Sequence, residues 1–138
     1  MSKAARMLKL KDTAQYCVVS FHTISSNSED YYTKEELEEI GVIEGEIQRL
    51  LPDEHIYRNL NQIVCIHEIK PGETQAGFRE EMEKLYQTVQ KQIFHRNKTT
   101  DFQIGIGSIV NGYGDLKKSF KDSKKIIDYM DMLRYLYG

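Results

Sequence analysis

The chain has 138 residues, of which 40% are apolar and 29% charged, and its 19 Lys and Arg against 21 Asp and Glu give a net charge of −2. This length fits one domain, and a domain of this size buries about two-thirds of its unfolded surface, so it needs no disulfide or metal to hold a core. The near-neutral balance argues against a dedicated binder of nucleic acid or of membrane surfaces, because such binders carry an excess of positive charge. The composition therefore predicts one compact soluble domain and names no activity.

Cysteine usage and hydropathy indicate the compartment. Cys17 and Cys65 each lie inside an apolar run and are not in CxxC spacing, which favours two buried thiols in a reducing compartment over zinc ligands. The longest apolar run, at 63–66, is too short to span a bilayer, and no uninterrupted apolar stretch follows the basic residues of 1–11. The sequence therefore predicts a cytoplasmic protein without membrane contact, metal or cofactor.

Hydrophobic periodicity and turn residues divide the chain into seven elements. In chain order they are a strand at 16–24, a helix that ends before Pro52, strands at 55–58 and 62–69, a helix over 74–95, a strand at 102–110 and a helix from about 115 onward. This β-α-β-β-α-β-α order predicts an α+β, ferredoxin-like fold with helices packed on an antiparallel sheet. We expect residues 1–14 to form an N-terminal linker and residues 15–138 to form the domain.

Two glycines in the last predicted strand mark a special face. Gly105 and Gly107 are two residues apart, so they lie on the same side of a strand. The missing side chains leave room either for a closely packed helix or for a ligand. Ser119 and Ser123, four residues apart in the last helix, are also small and favour the closely packed helix.

The same segment carries a family resemblance. Ile104-Gly-Ile-Gly107 and the helix that follows resemble the degenerate GGDEF-like domain of PucR/CdaR-type and AraC-type response-regulator transcription factors. Members of that group carry an I-G-I-G strand, a short loop, a leucine and a helix with Ser-aromatic-x-x-small spacing. The matching helix positions here are Leu116, Ser119, Phe120 and Ser123. The resemblance implies a GGDEF-like fold, with a receiver module upstream and a helix-turn-helix module downstream in a longer parent protein.

The resemblance also allows a test for catalytic residues. Active GGDEF proteins join nucleotides with carboxylates that hold Mg²⁺ and with a glycine pair in the hairpin between the second and third strands. Here that hairpin reads Asn59-Leu60-Asn61-Gln62, and the end of the first strand holds Ser20, Phe21 and His22. An amide brings no charge to offset Mg²⁺ and cannot act as a base. The sequence therefore predicts that the chain is not an enzyme and has no catalytic residues.

The function expected from these observations is regulatory. We expect a non-catalytic domain of a bacterial transcription regulator that transmits a signal by rigid packing between neighbouring modules or by forming a homodimer, with DNA bound only through a module outside this chain. Tyr129 and the tyrosines after it are expected to pack against the next module. The alternative is a domain that senses a small-molecule effector, including a nucleotide bound without turnover. Its ligand would contact Asn59, Asn61, Gln62, Gly105 and Gly107.

Charge and histidine patterns leave one further choice open. Six Glu between residues 35 and 46 make the first helix acidic, and five Lys between 117 and 125 make the last helix basic. These are either solvated faces or complementary surfaces that meet across a subunit or domain contact. His22 and His67 fall at opposite ends of adjacent antiparallel strands, which predicts surface or strand-end histidines and no shared metal site.

Overall fold

The structure is a computed structural model that describes residues 10–24, 34–59, 62–96 and 101–137. Its elements are β1 (Gln15–Ile24), α1 (Lys34–Leu50), β2 (His55–Asn59), β3 (Gln62–Glu68), α2 (Gln75–Arg96), β4 (Asp101–Asn111) and α3 (Leu116–Tyr137). A 3₁₀ turn at Tyr113–Asp115 leads into α3. The predicted α+β class is confirmed, and the predicted element bounds differ from the observed ones by one or two residues.

The four strands form one antiparallel sheet in the order β2-β3-β1-β4. β1 lies in the centre and pairs with β3 on one side and β4 on the other. Its pairing with β4 shifts register between Cys17 and Val19, which marks a bulge opposite Gly107 and Ser108. This sheet with the helices α1 and α2 between its strands is the ferredoxin-like arrangement.

One face of the sheet carries the main core under α1 and α2. Ile40, Ile43 and Ile47 recur at three- and four-residue spacing, and all three are buried. The buried positions of α2 repeat in the same way at Phe78, Met82, Leu85 and Val89. From the sheet, alternate residues reach the same core: Cys17, Val19, Phe21, Ile63, Cys65 and Phe102.

The opposite face is covered in part by α3. Ile104 and Ile106 pack against the main core, and successive side chains of a strand point to opposite faces. Gly105 therefore faces the other way, and α3 lies directly on it. The helix appended to the ferredoxin-like order thus turns the domain into three layers, with the sheet in the middle.

The residues before β1 also contact the sheet. Leu10 is buried beside Tyr16 and Val110. The Lys11 N–H donates to Tyr16 Oη at 2.7 Å, and the Gly112 N–H donates to Ala14 O at 2.7 Å. Part of the segment that we expected to be a linker therefore packs on the domain, while a domain boundary at residue 15 stays a prediction. No helix within the described ranges is long and apolar enough to cross a membrane.

Candidate functional site

The two glycines of β4 bring α3 to within backbone contact of the sheet. A Cβ added at Gly105 would overlap the carbonyl oxygen of Ser123, and one added at Gly107 would overlap that of Ser119. No side chain larger than hydrogen fits there unless the helix moves. Of the two alternatives that the sequence leaves open for this face, close packing of a helix is the one observed, and the helix backbone fills the space above both glycines.

Serine hydroxyls form hydrogen bonds between α3 and the sheet beside the same two glycines. Ser119 Oγ accepts a hydrogen bond from the Val18 N–H at 2.9 Å and donates to Ser108 O at 2.6 Å. The Val18 amide lies at the bulge, where the β1–β4 pairing is interrupted, and the serine supplies its partner. At the next turn, Ser20 Oγ and Ser123 Oγ lie 2.7 Å apart. These serines are buried, and the Val18 N–H gains a partner that the interrupted ladder does not provide.

The other two residues of the family motif have packing roles. Leu116 packs beside Tyr16 and Val110 in the smaller core. The Phe120 ring is half-buried, with Lys124 Nζ 5.6 Å from its centre. Three of the four residues that carry the resemblance, Leu116, Ser119 and Ser123, therefore contact the sheet or the smaller core.

A row of polar residues crosses the sheet at the end where β1 finishes. His22 of β1 is the register partner of Gln62 in β3 and of Gln103 in β4, and Gln62 is the partner of Asn59 in β2. This is the corner where the resemblance places metal and nucleotide in active proteins. The row itself holds three amides and one imidazole, and Asp101, the register partner of Ile24, comes two residues before Gln103 in β4.

The row contains one unsatisfied polar atom. Gln103 is 7% exposed, and its Oε1 is the buried side-chain oxygen that lacks a hydrogen-bond partner within the described part of the chain. Of the residues predicted to bind a ligand, Gln62 and the Asn59 backbone lie in this row, and Asn61 lies outside the described residues. Gly105 belongs to the same strand as Gln103 but lies under α3, so the structure separates the predicted set into two groups.

A second polar cluster, which sequence reasoning missed, lies at the opposite end of β3. His67 Nδ1 lies 2.5 Å from Glu54 Oε1, and His67 Nε2 lies 2.8 Å from Glu73 Oε2. The ring stacks on Phe78 with 4.3 Å between centroids. His67 is buried, so the expectation of a surface or strand-end histidine is wrong on exposure. The reason is the alternation of β3, which turns His67 toward the α1 and α2 core.

The charges of this cluster follow from its geometry. Both ring nitrogens of His67 face a carboxylate, an arrangement that favours the doubly protonated, cationic imidazole. Burial alone would lower the pKa of His67, but the hydrogen bonds and charges of Glu54 and Glu73 outweigh it and raise that pKa above its ordinary value. Burial tends to raise the pKa of Glu73, but the Lys70 N–H and His67 outweigh it and lower that pKa.

The cluster lines a cavity of about 550 Å³ between the loops that follow α1 and β3. Because both nitrogens of His67 already donate, the ring has no lone pair for a metal or for a substrate proton. The role of His67 is structural, because its two hydrogen bonds join the 51–54 loop, the end of β3 and the 70–74 loop. Within the described residues no group of three or more His, Cys, Asp and Glu is placed to hold a metal ion.

The two thiols are placed for packing. Cys17 Sγ donates to Gly107 O at 3.2 Å, and both cysteines are buried in the main core and unpaired. Burial raises the pKa of the Cys17 thiol to about 11 and raises that of Cys65 further. Neither thiol is a thiolate at neutral pH, so neither is a ready nucleophile.

Comparison with known families agrees with the fold. A family model described as a GGDEF-like domain matches residues 1–129 of the chain. The chain therefore belongs to the GGDEF-like domain family. No curated protein and no solved structure matches it significantly.

Proposed function

We propose that this GGDEF-like domain is a non-catalytic regulatory domain of a bacterial transcription regulator of the PucR/CdaR or AraC response-regulator type. In this role it passes a signal between neighbouring modules, through rigid packing or self-association. Receiver and helix-turn-helix modules are the neighbours that the family motif implies. DNA contact then belongs to the helix-turn-helix module, in keeping with the near-neutral charge of this chain.

The observation that carries this proposal is the attachment of α3 to the sheet. A helix of 22 residues is about 33 Å long, and its first turns are held at backbone contact by Gly105 and Gly107. Because interiors pack tightly and hydrogen bonds fix the helix in one register, any movement of β1 or β4 must carry α3 with it. A helix held rigidly in this way is a suitable element for transmitting a change of position.

The proposed lack of turnover is supported by the polar row at the end of β1. Nucleotide condensation on Mg²⁺ needs anionic ligands, and none of the four residues of the row, Asn59, Gln62, His22 and Gln103, carries a carboxylate. The test is to incubate the full chain with GTP and either Mg²⁺ or Mn²⁺ and to measure pyrophosphate release and dinucleotide formation. We expect neither product. Turnover that scales with chain concentration would overturn the non-catalytic assignment.

The regulatory context is tested by the coding sequence next to this chain and by a transcription reporter assay of the full-length protein. We expect a helix-turn-helix pair in the coding sequence downstream of the chain. In that full-length protein, Gly105→Ala should uncouple signal from transcription, while Gly45→Ala, at an α1 position with open space around it, should leave the response unchanged. A Gly105→Ala protein that is folded, stable and fully responsive would contradict the role assigned to α3.

A second function, effector sensing, is favoured by the unsatisfied Oε1 of Gln103. A buried acceptor without a partner costs about 1–3 kcal/mol, and a ligand that donates to it from the His22 corner would recover this cost. Thermal unfolding against a panel of nucleotides and metabolites tests this function, because a ligand of the folded state must raise the melting temperature. Stabilisation that disappears in Gln103→Met supports sensing at this corner. No stabilisation by any compound at millimolar concentration speaks against it.

A further inference from the structure

The β4 edge of the sheet is long and carries no charge along its centre. The strand order ends at β4, so no strand lies on its outer side within the described ranges. β4 has 11 residues, and between Phe102 and Val110 it contains neither a charged residue nor a proline. The opposite edge, β2, has five residues and includes Arg58. Natural sheets protect their edges with short strands, charges, proline or bulges. β2 is short and charged, whereas β4 has only the bulge at Gly107 and Ser108, which leaves residues 101–106 in regular pairing with β1.

An apolar cleft runs beside this edge on the face covered by α2. Its volume is about 380 Å³, and apolar or aromatic side chains from both elements contribute to its lining: Met82, Tyr86, Ile104 and Ile106. Arg79 and Glu83 of α2 also line it, and their four-residue spacing places them on one side of the helix. The cleft therefore combines an apolar surface with one charge of each sign.

The other face of the sheet presents apolar groups beside the same edge. Ser108 of β4 donates to Asp122 Oδ2 of α3 at 2.6 Å, which places that side of α3 next to β4. Ile126 and Tyr129 follow Asp122 by four and seven residues and so lie on the same side of the helix. They are 40% and 56% exposed, and they are two of the three large exposed hydrophobic residues in the described part of the chain. The β4 edge is thus flanked by apolar surface on both faces.

We propose that β4 pairs antiparallel with β4 of a second copy of this chain, so that two four-stranded sheets join into one. This contact is the surface through which the self-association included in the proposed function would occur, and in that respect it rests on the proposed function. A strand added at β4 gains backbone hydrogen bonds from the open edge, and its side chains lie over the cleft. A second copy fits because an antiparallel edge pair is self-complementary about a two-fold axis.

Charge complementarity favours the second copy over an unrelated strand. A two-fold axis at β4 brings α2 antiparallel to the α2 of the partner copy, beside the joined edges. When the axis passes at the level midway between Arg79 and Glu83, which both line the cleft, Arg79 faces the partner's Glu83 and Glu83 faces the partner's Arg79. Each dimer therefore contains the same ion pair twice, and exchanging the two charges within one chain preserves both pairs.

The experiment measures self-association of the full chain by sedimentation equilibrium over the micromolar to millimolar range. We expect a monomer–dimer equilibrium for the wild type. Arg79→Glu alone and Glu83→Arg alone should each weaken the dimer by about tenfold or more, because each places like charges opposite each other twice. The double exchange Arg79→Glu/Glu83→Arg should restore the wild-type constant. The matched control is Tyr57→Lys, an exposed position on the β2 edge, which should leave dimerisation unchanged.

The alternatives give different results. A wild-type chain that stays monomeric throughout overturns both this inference and self-association in the proposed function. Dimerisation that is lost in Tyr57→Lys and kept in Arg79→Glu moves the contact to another surface, so it overturns the inference and leaves self-association standing. GTP turnover would overturn the non-catalytic assignment and leave the dimer untouched. Circular dichroism of each variant checks that a lost dimer is not a lost fold.

Discussion

The contact between Gly105 and Ser123 allows us to predict how Gly105→Ala changes the free energy of unfolding. A Cβ at residue 105 would overlap the Ser123 carbonyl oxygen and would lie 3.0 Å from Ile127 Cγ1. The overlapped atom is backbone in the interior of a helix, so it cannot move aside by a side-chain rotation. Gly105→Ala therefore forces α3 away from the sheet as a unit.

The size of the effect follows from what that displacement breaks. Moving α3 lengthens four hydrogen bonds to the sheet. They join Ser119 to Val18 and Ser108, Ser123 to Ser20, and Asp122 to Ser108. Each is worth about 1 kcal/mol net, and overpacking a tight contact costs about 1–3 kcal/mol. The helix can relieve the overlap by breaking these hydrogen bonds, so the cost of overpacking and the cost of the lost bonds do not simply add. We therefore expect a loss of about 2–4 kcal/mol in the free energy of unfolding.

The assay is urea unfolding followed by circular dichroism, with the midpoint and the slope fitted for each variant. The matched control is Gly45→Ala, because Gly45 lies inside α1 and no atom lies within 4 Å of an added Cβ. That change should stabilise the protein by about 0.5–1 kcal/mol, through helix propensity and a less flexible unfolded chain. A Gly105→Ala protein within about 0.5 kcal/mol of the wild type, well below the usual cost of overpacking, would refute the reasoning.

The buried cluster and the thiols give the remaining predictions. Because the pKa of His67 is raised, its contribution to stability is complete below its ordinary pKa of 6.5 and is lost as pH rises through the raised value. The free energy of unfolding should therefore fall on the alkaline side. His67→Phe should remove this dependence of the free energy of unfolding on pH. The lowered pKa of Glu73 contributes stability above its ordinary 4.5 that is lost as pH falls through the lowered value, and Glu73→Gln should flatten this acid limb in the same titration. His67→Phe should also cost about 3–5 kcal/mol in urea unfolding, because Glu54 and Glu73 lose their buried counter-charge. Cys17 and Cys65 should not react with a thiol reagent at neutral pH until denaturant is added, since burial raises the pKa of both; fast reaction of the native protein would contradict their placement.

The parts of the fold that the sequence predicts well depend on local pattern. The three- and four-residue spacing of Ile40, Ile43 and Ile47 fixes the buried side of α1 whatever the other helices do. The glycine and serine spacing predicts the contact between β4 and α3 for the same reason, because two small residues two apart on a strand match two that are four apart on a helix. Neither argument needs to know where distant segments lie.

The Glu54–His67–Glu73 cluster depends on three separate segments, and so it was missed. Each glutamate alone is a loop residue of the kind that is normally solvated. One signal was available in β3, where Ile63, Cys65 and His67 alternate toward the buried side. A buried histidine needs hydrogen-bond partners, and Glu54 and Glu73 each lie two residues after a proline that ends the preceding element. Pairing the two loops across the strand end still required the tertiary structure.

β4 links the attachment of α3 to the proposed dimer edge. Gly105 and Gly107 of this strand hold α3 on one face, and Ile104 and Ile106 line the edge cleft on the other. Pairing at the outer side of β4 would fix the strand on both sides, since its inner side is already bound to β1. Because α3 contacts β4 at the level of the backbone, fixing the strand also fixes the helix. Self-association at this edge would therefore set the spacing and orientation of two α3 helices at once. In the proposed regulatory role, a pair of DNA-binding modules would need such a fixed spacing to meet two half-sites.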